Sequence, residues 1–361
     1  MTRVGLGPDP IPVSAPPATS DPPLTRFTHA HSALKCRRTR QPVLQEAVQD
    51  QNQTSVLVFH FLGFGDLPGL QMPLFCGFLL VYVAIIAGNL LIVFLVSFQQ
   101  SLHSPMYLFL SHLSLCDVWC TTNIIPNMLN IVLFGGGTIS ATGCIAQFYL
   151  FGSLTTTESF LLTVMSYDRY LAICYPLHYF SIMDLRLLLC LTTWSWVLGF
   201  VLTLIPSVLV GSLQFCGPSA INHFFCDLSP LLALSCSPRT SEIQTEIIFS
   251  SIPVILFPFI FIIGTYLKIF LTILNISSKR GRQKTFSTCS SHLIIVCTYY
   301  GTLIIVYMIP AKQNFSNVNK ILSLLYIVVT PLFNPIIYSL RNREIKTALW
   351  KIMSFTAKGE V

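Results

Sequence analysis

LLVYVAIIAGNLLIVFLV (Leu79–Val96) carries no charge from end to end. Coiled as an α-helix it extends about 27 Å at about 1.5 Å per residue, close to the hydrocarbon thickness of a bilayer. Working outward, short polar breaks divide the chain after residue 72 into seven such stretches, near 73–96, 106–132, 144–174, 187–209, 244–274, 284–309 and 319–340. Composition demands the same environment. The 361 residues are 53% hydrophobic and 10% charged, with a mean hydropathy of +0.68, too apolar for a soluble domain to cover with polar surface. A closed β-barrel, the other spanning solution, would show short alternating segments instead. The sequence therefore predicts an all-α membrane protein, a seven-transmembrane helix bundle over residues 73–340.

Lys and Arg near helix ends set the orientation, because cytoplasmic loops retain positive charge during insertion. With the N-terminus outside, the inner side holds Arg169, Arg186, Lys268, Lys279, Arg280, Arg282, Lys284, Arg341, Arg343, Lys346, Lys351 and Lys358, and the outer loops hold Arg239, Lys312 and Lys320. The basic residues of the N-terminal tail all lie at or before Arg40, too far from a helix to count. The formal charge of +7 thus reflects topology at the plasma membrane and contact with anionic inner-leaflet lipid, not a nucleic-acid footprint. Residues 1–72 form an extracellular tail, expected to be disordered at least to about 55, where PDPIP, APP and DPP precede a basic cluster. An upstream extension without function is the competing reading of that tail. Residues 341–361 form a cytoplasmic tail whose Ile345, Leu349, Ile352 and Met353 fall on one side, as in an amphipathic helix lying on the inner leaflet. Asn52, in NQT, is the expected glycosylation site. Asn314, in NFS, is a weaker one close to the membrane, and Asn275, in NIS, faces the cytoplasm and should stay bare.

Neither a Walker loop nor a GxSxG elbow, HExxH or dinucleotide fingerprint appears, which argues against an enzyme. A secondary transporter would show related halves and paired broken helices. No such repeat is visible, but that class stays as the alternative.

LHSPMYLFL (102–110), MSYDRYLAICYPLHY (165–179), KTFSTCSSHL (284–293) and PLFNPIIYSLRN (331–342) resemble, in order and on the expected membrane side, the motifs of vertebrate odorant receptors of the tetrapod-type subgroup, within the rhodopsin-like G-protein-coupled class. The likeness runs from about Asn52 to Trp350. Ser166 departs from it, standing where the family usually has Ala, and the N-terminal tail is longer than typical. The resemblance implies a receptor that binds a small volatile molecule inside the bundle and activates a stimulatory heterotrimeric G protein of the cAMP pathway. It also implies a G-protein switch built from Asp168, Arg169, Tyr170, Tyr266, Asn334, Pro335 and Tyr338. A receptor of the same class for a peptide or amine is a third reading, against which the sixth-helix motif argues.

Cys144 and Arg169 stand about 37 Å apart on one helix, enough to run from face to face. Asp168 and Arg169 then lie at the cytoplasmic edge. Adjacent opposite charges there can neutralise each other until the guanidinium switches partners, or they merely anchor the helix at the interface. Asp117 and Glu158 fall at similar depth, mid-membrane, near Asn89 and Asn334. Either they share a cation, with sodium suited to the oxygen ligands and implied by the resemblance, or they form a neutral hydrogen-bonded cluster. Beyond that ion, no cofactor is expected.

Cys144, Cys216, Cys226 and Cys236 fall on or next to the outer face, where an even number suggests two disulfides in any of three pairings. The family resemblance implies Cys144–Cys226 and Cys216–Cys236. A metal set around His223 and Cys226 in HFFCD competes with the first bridge. The ligand site should occupy the outer half of the bundle. Phe151, Thr155 and Ser159 form a stripe on the third helix, Ser250, Ser251 and Val254 face it from the fifth, and Tyr300, Leu303, Ile304 and Tyr307 from the sixth. No acid lies among them, so a neutral alcohol, ketone or ester fits better than an amine. The alternative for each residue is helix packing, since Ser and Thr also join helices in membranes.

Overall fold

The computed structural model describes residues 57–65, 69–216, 219–275, 278–309, 316–340 and 343–356, all within the compact unit Gln51–Val361. Asn52, Asn314 and the tail expected to be disordered lie outside them. Seven long helices follow in order: α1 (Gln71–Phe98), α2 (Pro105–Phe134), α3 (Ala141–Cys174), α4 (Leu185–Gly211), α5 (Thr240–Leu274), α6 (Lys279–Leu303, continued by a π turn, Ile304–Met308) and α7 (Ser316–Leu324, a π turn Leu325–Val329, then Thr330–Leu340). α8 (Arg343–Thr356) closes the chain, with Ile345 and Ala348 buried, Leu349 half-buried and Trp350 exposed; the side chains of Ile352 and Met353 lie outside the described ones.

Helices α1, α2, α4, α5 and the Val318–Ile337 part of α7 are each long and apolar enough to cross a membrane. α3 falls short of that standard, and the described part of α6 holds a shorter apolar helix, His292–Met308. α3 carries Glu158, Asp168, Arg169 and a series of hydroxyls, and α6 opens with the basic run KRGRQK. Polar side chains on a spanning helix must face the bundle, and α3 accordingly sits at the centre of the packing, with Glu158, Asp168 and Ser159 buried.

Small residues let α3 and α4 approach closely. A Cβ on Gly199 would collide with Thr157 Oγ1 and lie 2.8 Å from the Ser153 carbonyl. Thr156 and Thr203 hydroxyls meet at 3.3 Å across the same seam. Between helices in lipid, such close contact replaces the hydrophobic drive that water would supply.

The end of the bundle where α3 begins carries a lid that helix periodicity did not foresee. Val58–Phe61 (β1) pairs antiparallel with Gly137–Ser140 (β2), in register Phe59↔Ile139, and parallel with Ala220–Ile221 (β3), in register Phe61↔Ile221. β1 is the central strand, in the order β2-β1-β3. Its alternation is that of a half-buried strand: Phe59 and Phe61 turn into the core while Val58 and His60 face out. Phe59 meets Phe215 edge-on at 5.2 Å, and Phe64 stacks between Phe78 and Phe224. Lys320, near the start of α7, donates to the Gly63 carbonyl at 2.6 Å and to Asn222 Oδ1 at 2.7 Å.

Candidate functional site

Two bridges fix the lid. Cys144 at the head of α3 bonds Cys226, with Cα atoms 5.5 Å apart, and Cys216 bonds Cys236 at 5.9 Å. Of the three pairings open to the sequence, the structure forms the one that the resemblance implied. With its sulfur in a bridge, Cys226 has no thiolate for a metal, and among the described residues no three His, Cys, Asp or Glu side chains gather as a metal set. Next to the bridge, Gln147 Oε1 accepts the Cys226 N–H at 3.0 Å.

Asp227 is the lid's central anchor. Its Oδ1 caps the short helix Leu228–Leu234 through the Leu228 N–H and accepts the Tyr307 hydroxyl at 2.8 Å, while Oδ2 takes a longer bond from Tyr326 at 3.4 Å. Burial pushes this carboxyl up from its ordinary value, partly offset by those donors. Tyr307 and Tyr326 both stand in π turns, whose wider winding re-aims side chains near functional sites.

Beneath the lid lies a cavity of about 90 Å³ between α3, α4, α5 and α6. Phe151, Thr155, Ser159, Ser250, Ser251, Val254, Leu303 and Tyr307 line it. Tyr300 and Ile304 do not, and the sequence placement of these two is corrected. The Tyr300 hydroxyl donates to the Ser159 carbonyl at 2.8 Å and its ring packs on Phe259, which makes it a strut. Leu303 and Tyr307, four residues apart on one helical stripe, reach the cavity, and Ile304, at the edge of that stripe, does not line it. Sequence reading also missed the α4 wall of Leu202, Thr203 and Pro206, and Leu228 from the lid. Only the apposition of α4 on α3 through Gly152 and Gly199 brings that wall in.

Tyr299, next to Tyr300, donates to the Thr155 carbonyl at 2.8 Å. The two tyrosines therefore tie α6 to α3 just under the cavity. Deeper still, Asp117 and Glu158 are 1% and 4% exposed, and Glu158 lies within the field of Asp117. Asn334 Nδ2 donates to Asp117 Oδ2 at 2.9 Å, and Asn89 Nδ2 donates to the carbonyls of Ile85 and Pro331 at 3.0 Å. Five buried oxygens of this layer have no hydrogen-bond partner: Asn89 Oδ1, Ser114 Oγ, Asp117 Oδ1, Glu158 Oε1 and Asn334 Oδ1. Oxygens left orphaned together are a donor set suited to a hard cation. Pro335 packs where a Cβ on Gly88 would stand, 3.1 Å from its Cγ.

At the end of α3 away from the disulfide, the expected Asp168–Arg169 pairing is replaced. Asp168 accepts the Tyr179 hydroxyl at 2.7 Å, and the ion pairs among the described residues are Arg239–Glu242 and Arg239–Glu246. Arg169 is half-buried and near enough to Tyr266, Cys289 and His292 for its charge to reach them. Tyr266 and His292 share a hydrogen bond that joins α5 to α6. His292 stands inside the quoted KTFSTCSSHL motif but was not singled out, because nothing in its spacing shows that it meets Tyr266. Tyr170 stacks loosely on Tyr167 at 6.5 Å, and the side chain of Tyr338 lies outside the described ones. Glu344 of α8 accepts the Tyr107 hydroxyl at 2.8 Å, securing the C-terminal helix to α2.

The family model described as "Olfactory receptor" matches residues 78–356. Human olfactory receptor 11L1 is 47% identical over 306 residues, covering 85% of this chain and 95% of the relative. Human olfactory receptor 11A1 is 46% identical over 309 residues, 85% and 97% of the two chains. Mouse olfactory receptor 5B21 is 42% identical over 305 residues, 84% and 95%.

Proposed function

The chain belongs to the olfactory receptor family, and from that premise we propose that it takes a small, neutral odorant into the cavity beneath the lid and activates a stimulatory G protein. It is a multi-pass G-protein-coupled receptor for odorants and, like its relatives, not an enzyme. The observation that carries the finer reading is the chemistry of the inner cavity. Thr155, Ser159, Ser250, Ser251 and Tyr307 offer hydroxyls among apolar walls, and no lining residue is charged. Most of those hydroxyls already donate to a neighbour: Ser250 and Ser251 to the Ile247 carbonyl at 2.8 Å, Tyr307 to Asp227. They remain acceptors, or exchange partners with a ligand, and an ammonium would find no counter-ion. The volume favours a compact ligand.

Transmission runs along α6. The struts at Tyr299 and Tyr300 and the bonded His292 are about 10 to 12 Å apart on one helix, so a ligand that displaces the outer half moves the residue beside Arg169. The positive inner loops and the lid disulfides support the plasma membrane with the N-terminus outside, and α8 supports contact with inner-leaflet lipid. The orphaned oxygens around Asp117 and Glu158 support a sodium ion there.

Cells displaying the receptor, exposed to a panel of neutral and amine odorants with cAMP as readout, test this reading. The expected result is a response to neutral compounds that disappears when the stimulatory G-protein subunit is deleted. Responses confined to amines, or surviving that deletion, would overturn it.

A further inference from the structure

A second, larger cavity adjoins the inner one on the lid side. It measures about 370 Å³ and lies between the lid helix Leu228–Leu234, the first part of α5, the π turn that ends α6 and the start of α7. Asn222, Ala233 and Ile309 line it and are exposed, so it opens on the protein surface. No residue lining the inner cavity is exposed. The two cavities share Leu228 and Tyr307 and no other lining residue. Those two side chains are the partition between the open space and the closed one.

A single atom holds both halves of that partition. Asp227 Oδ1 accepts the Leu228 N–H at 2.8 Å, and the Tyr307 hydroxyl donates to the same oxygen at 2.8 Å. Leu228 is further fixed from behind, because the bridge from Cys226 to Cys144 lies two residues before it. Tyr307 has no such tether, and its ring can change rotamer as one rigid plate once the hydroxyl lets go. Asp227 would then still keep the Leu228 N–H and the Tyr326 hydroxyl, the latter at 3.4 Å. Release therefore costs one hydrogen bond and strands no carboxyl group. The freed hydroxyl meets Ser229, Gln244 and Asn319 on the walls of the open cavity, where water can serve it.

We propose that Leu228 and Tyr307 form the gate through which a small neutral ligand passes from the open cavity, a vestibule, into the inner one, with the bond from Tyr307 to Asp227 as its latch. This rests on the reading of the inner cavity as the odorant site. The gate selects by width, before the inner hydroxyls select by chemistry. It makes Tyr307 a determinant of how fast a ligand enters and leaves, separately from how tightly it is held.

The test is the rate at which methyl methanethiosulfonate, a small neutral thiol reagent, modifies a cysteine placed behind the gate. Thr155→Cys, lining the inner cavity alone, is the reporter, and Gln244→Cys, lining the vestibule alone, is the control. Mass spectrometry of the full-length receptor in lipid nanodiscs, read peptide by peptide, sets the native thiols aside. Neither odorant nor G protein is needed, so failure of the gate and failure of the signalling reading are told apart. Tyr307→Phe, which removes the latch, should speed modification at position 155 about 5- to 10-fold, the worth of one net hydrogen bond. Leu228→Trp should slow it several-fold, and neither change should alter the rate at position 244. Ala233→Phe, at an exposed position in the vestibule, should also slow modification at position 155 without replacing a buried residue. One rate at position 155 in all these backgrounds, as entry from the lipid between helices would give, overturns the gate. So does an equal acceleration at positions 155 and 244 by Tyr307→Phe, which would mean a loosened lid.

Discussion

Tyr179 donates its hydroxyl to Asp168 at 2.7 Å, and so occupies the carboxylate that adjacent Arg169 would otherwise pair with. On the proposed reading, this loop keeps the arginine available to the G protein. Tyr179→Phe removes the competing donor, and Asp168 should then capture Arg169. We expect lower odorant-evoked cAMP at unchanged surface density. Arg169→Ala should abolish the cAMP response and leave ligand binding intact, since the cavity is about 15 Å or more along α3 from it. A full response from surface-displayed Arg169→Ala would remove this arginine from the switch.

Gly199 is where α3 and α4 touch. Its added Cβ would meet the Ser153 carbonyl at 2.8 Å as well as Thr157, and a backbone atom cannot swing away. Gly199→Ala should destabilise the receptor by about 1 to 3 kcal/mol or more and deplete it from the cell surface. Gly264 on α5, where a Cβ would meet nothing within 4 Å, is the control: Gly264→Ala should be delivered normally. Surface immunolabelling of both variants reads the difference.

For the layer around Asp117 and Glu158, sodium should raise the melting temperature of the purified receptor above its value in potassium at equal ionic strength. A ligand of the folded state stabilises it by mass action, whereas screening responds to either salt. Asp117→Asn and Glu158→Gln should each shrink that difference. Equal melting in both salts by wild type and amide variants would mark the layer as a neutral hydrogen-bonded cluster.

His223 gives the lid a pH dependence. Its folded pKa of about 3 lies below the ordinary 6.5, so the unfolded chain takes up a proton that the folded lid refuses. The stability it supports is complete above about pH 6.5 and declines toward pH 3, with a slope approaching about 1.4 kcal/mol per pH unit. Lys320 repels that proton further, while Asp227, its carboxyl pushed up by burial, acts in the opposite sense by taking one up in the folded state. Thermal melting between pH 7.5 and 5 should fall in the wild type and flatten in His223→Asn. An identical slope in both would discharge His223 from this role.

The number of spanning helices and the family were legible in the chain itself. Hydropathy and local motifs each depend on residues close together in sequence, and a bilayer rewards such local patterns strongly. Stripes on single helices were legible for the same reason, so Phe151, Thr155 and Ser159 reach one cavity as counted. What the tertiary structure alone decided involves distant segments. Val58–Phe61 reads as a few alternating residues in a polar tail, and becomes a central strand only because Gly137–Ser140 and Ala220–Ile221 arrive on either side. The closeness of α4 to α3 supplied a wall that no count along α3 could show. Tyr179 reached Asp168, and His292 reached Tyr266, through loop paths and helix tilts. Helical periodicity fixes which face a residue occupies, but which side chain stands opposite is set by the packing of whole helices against one another.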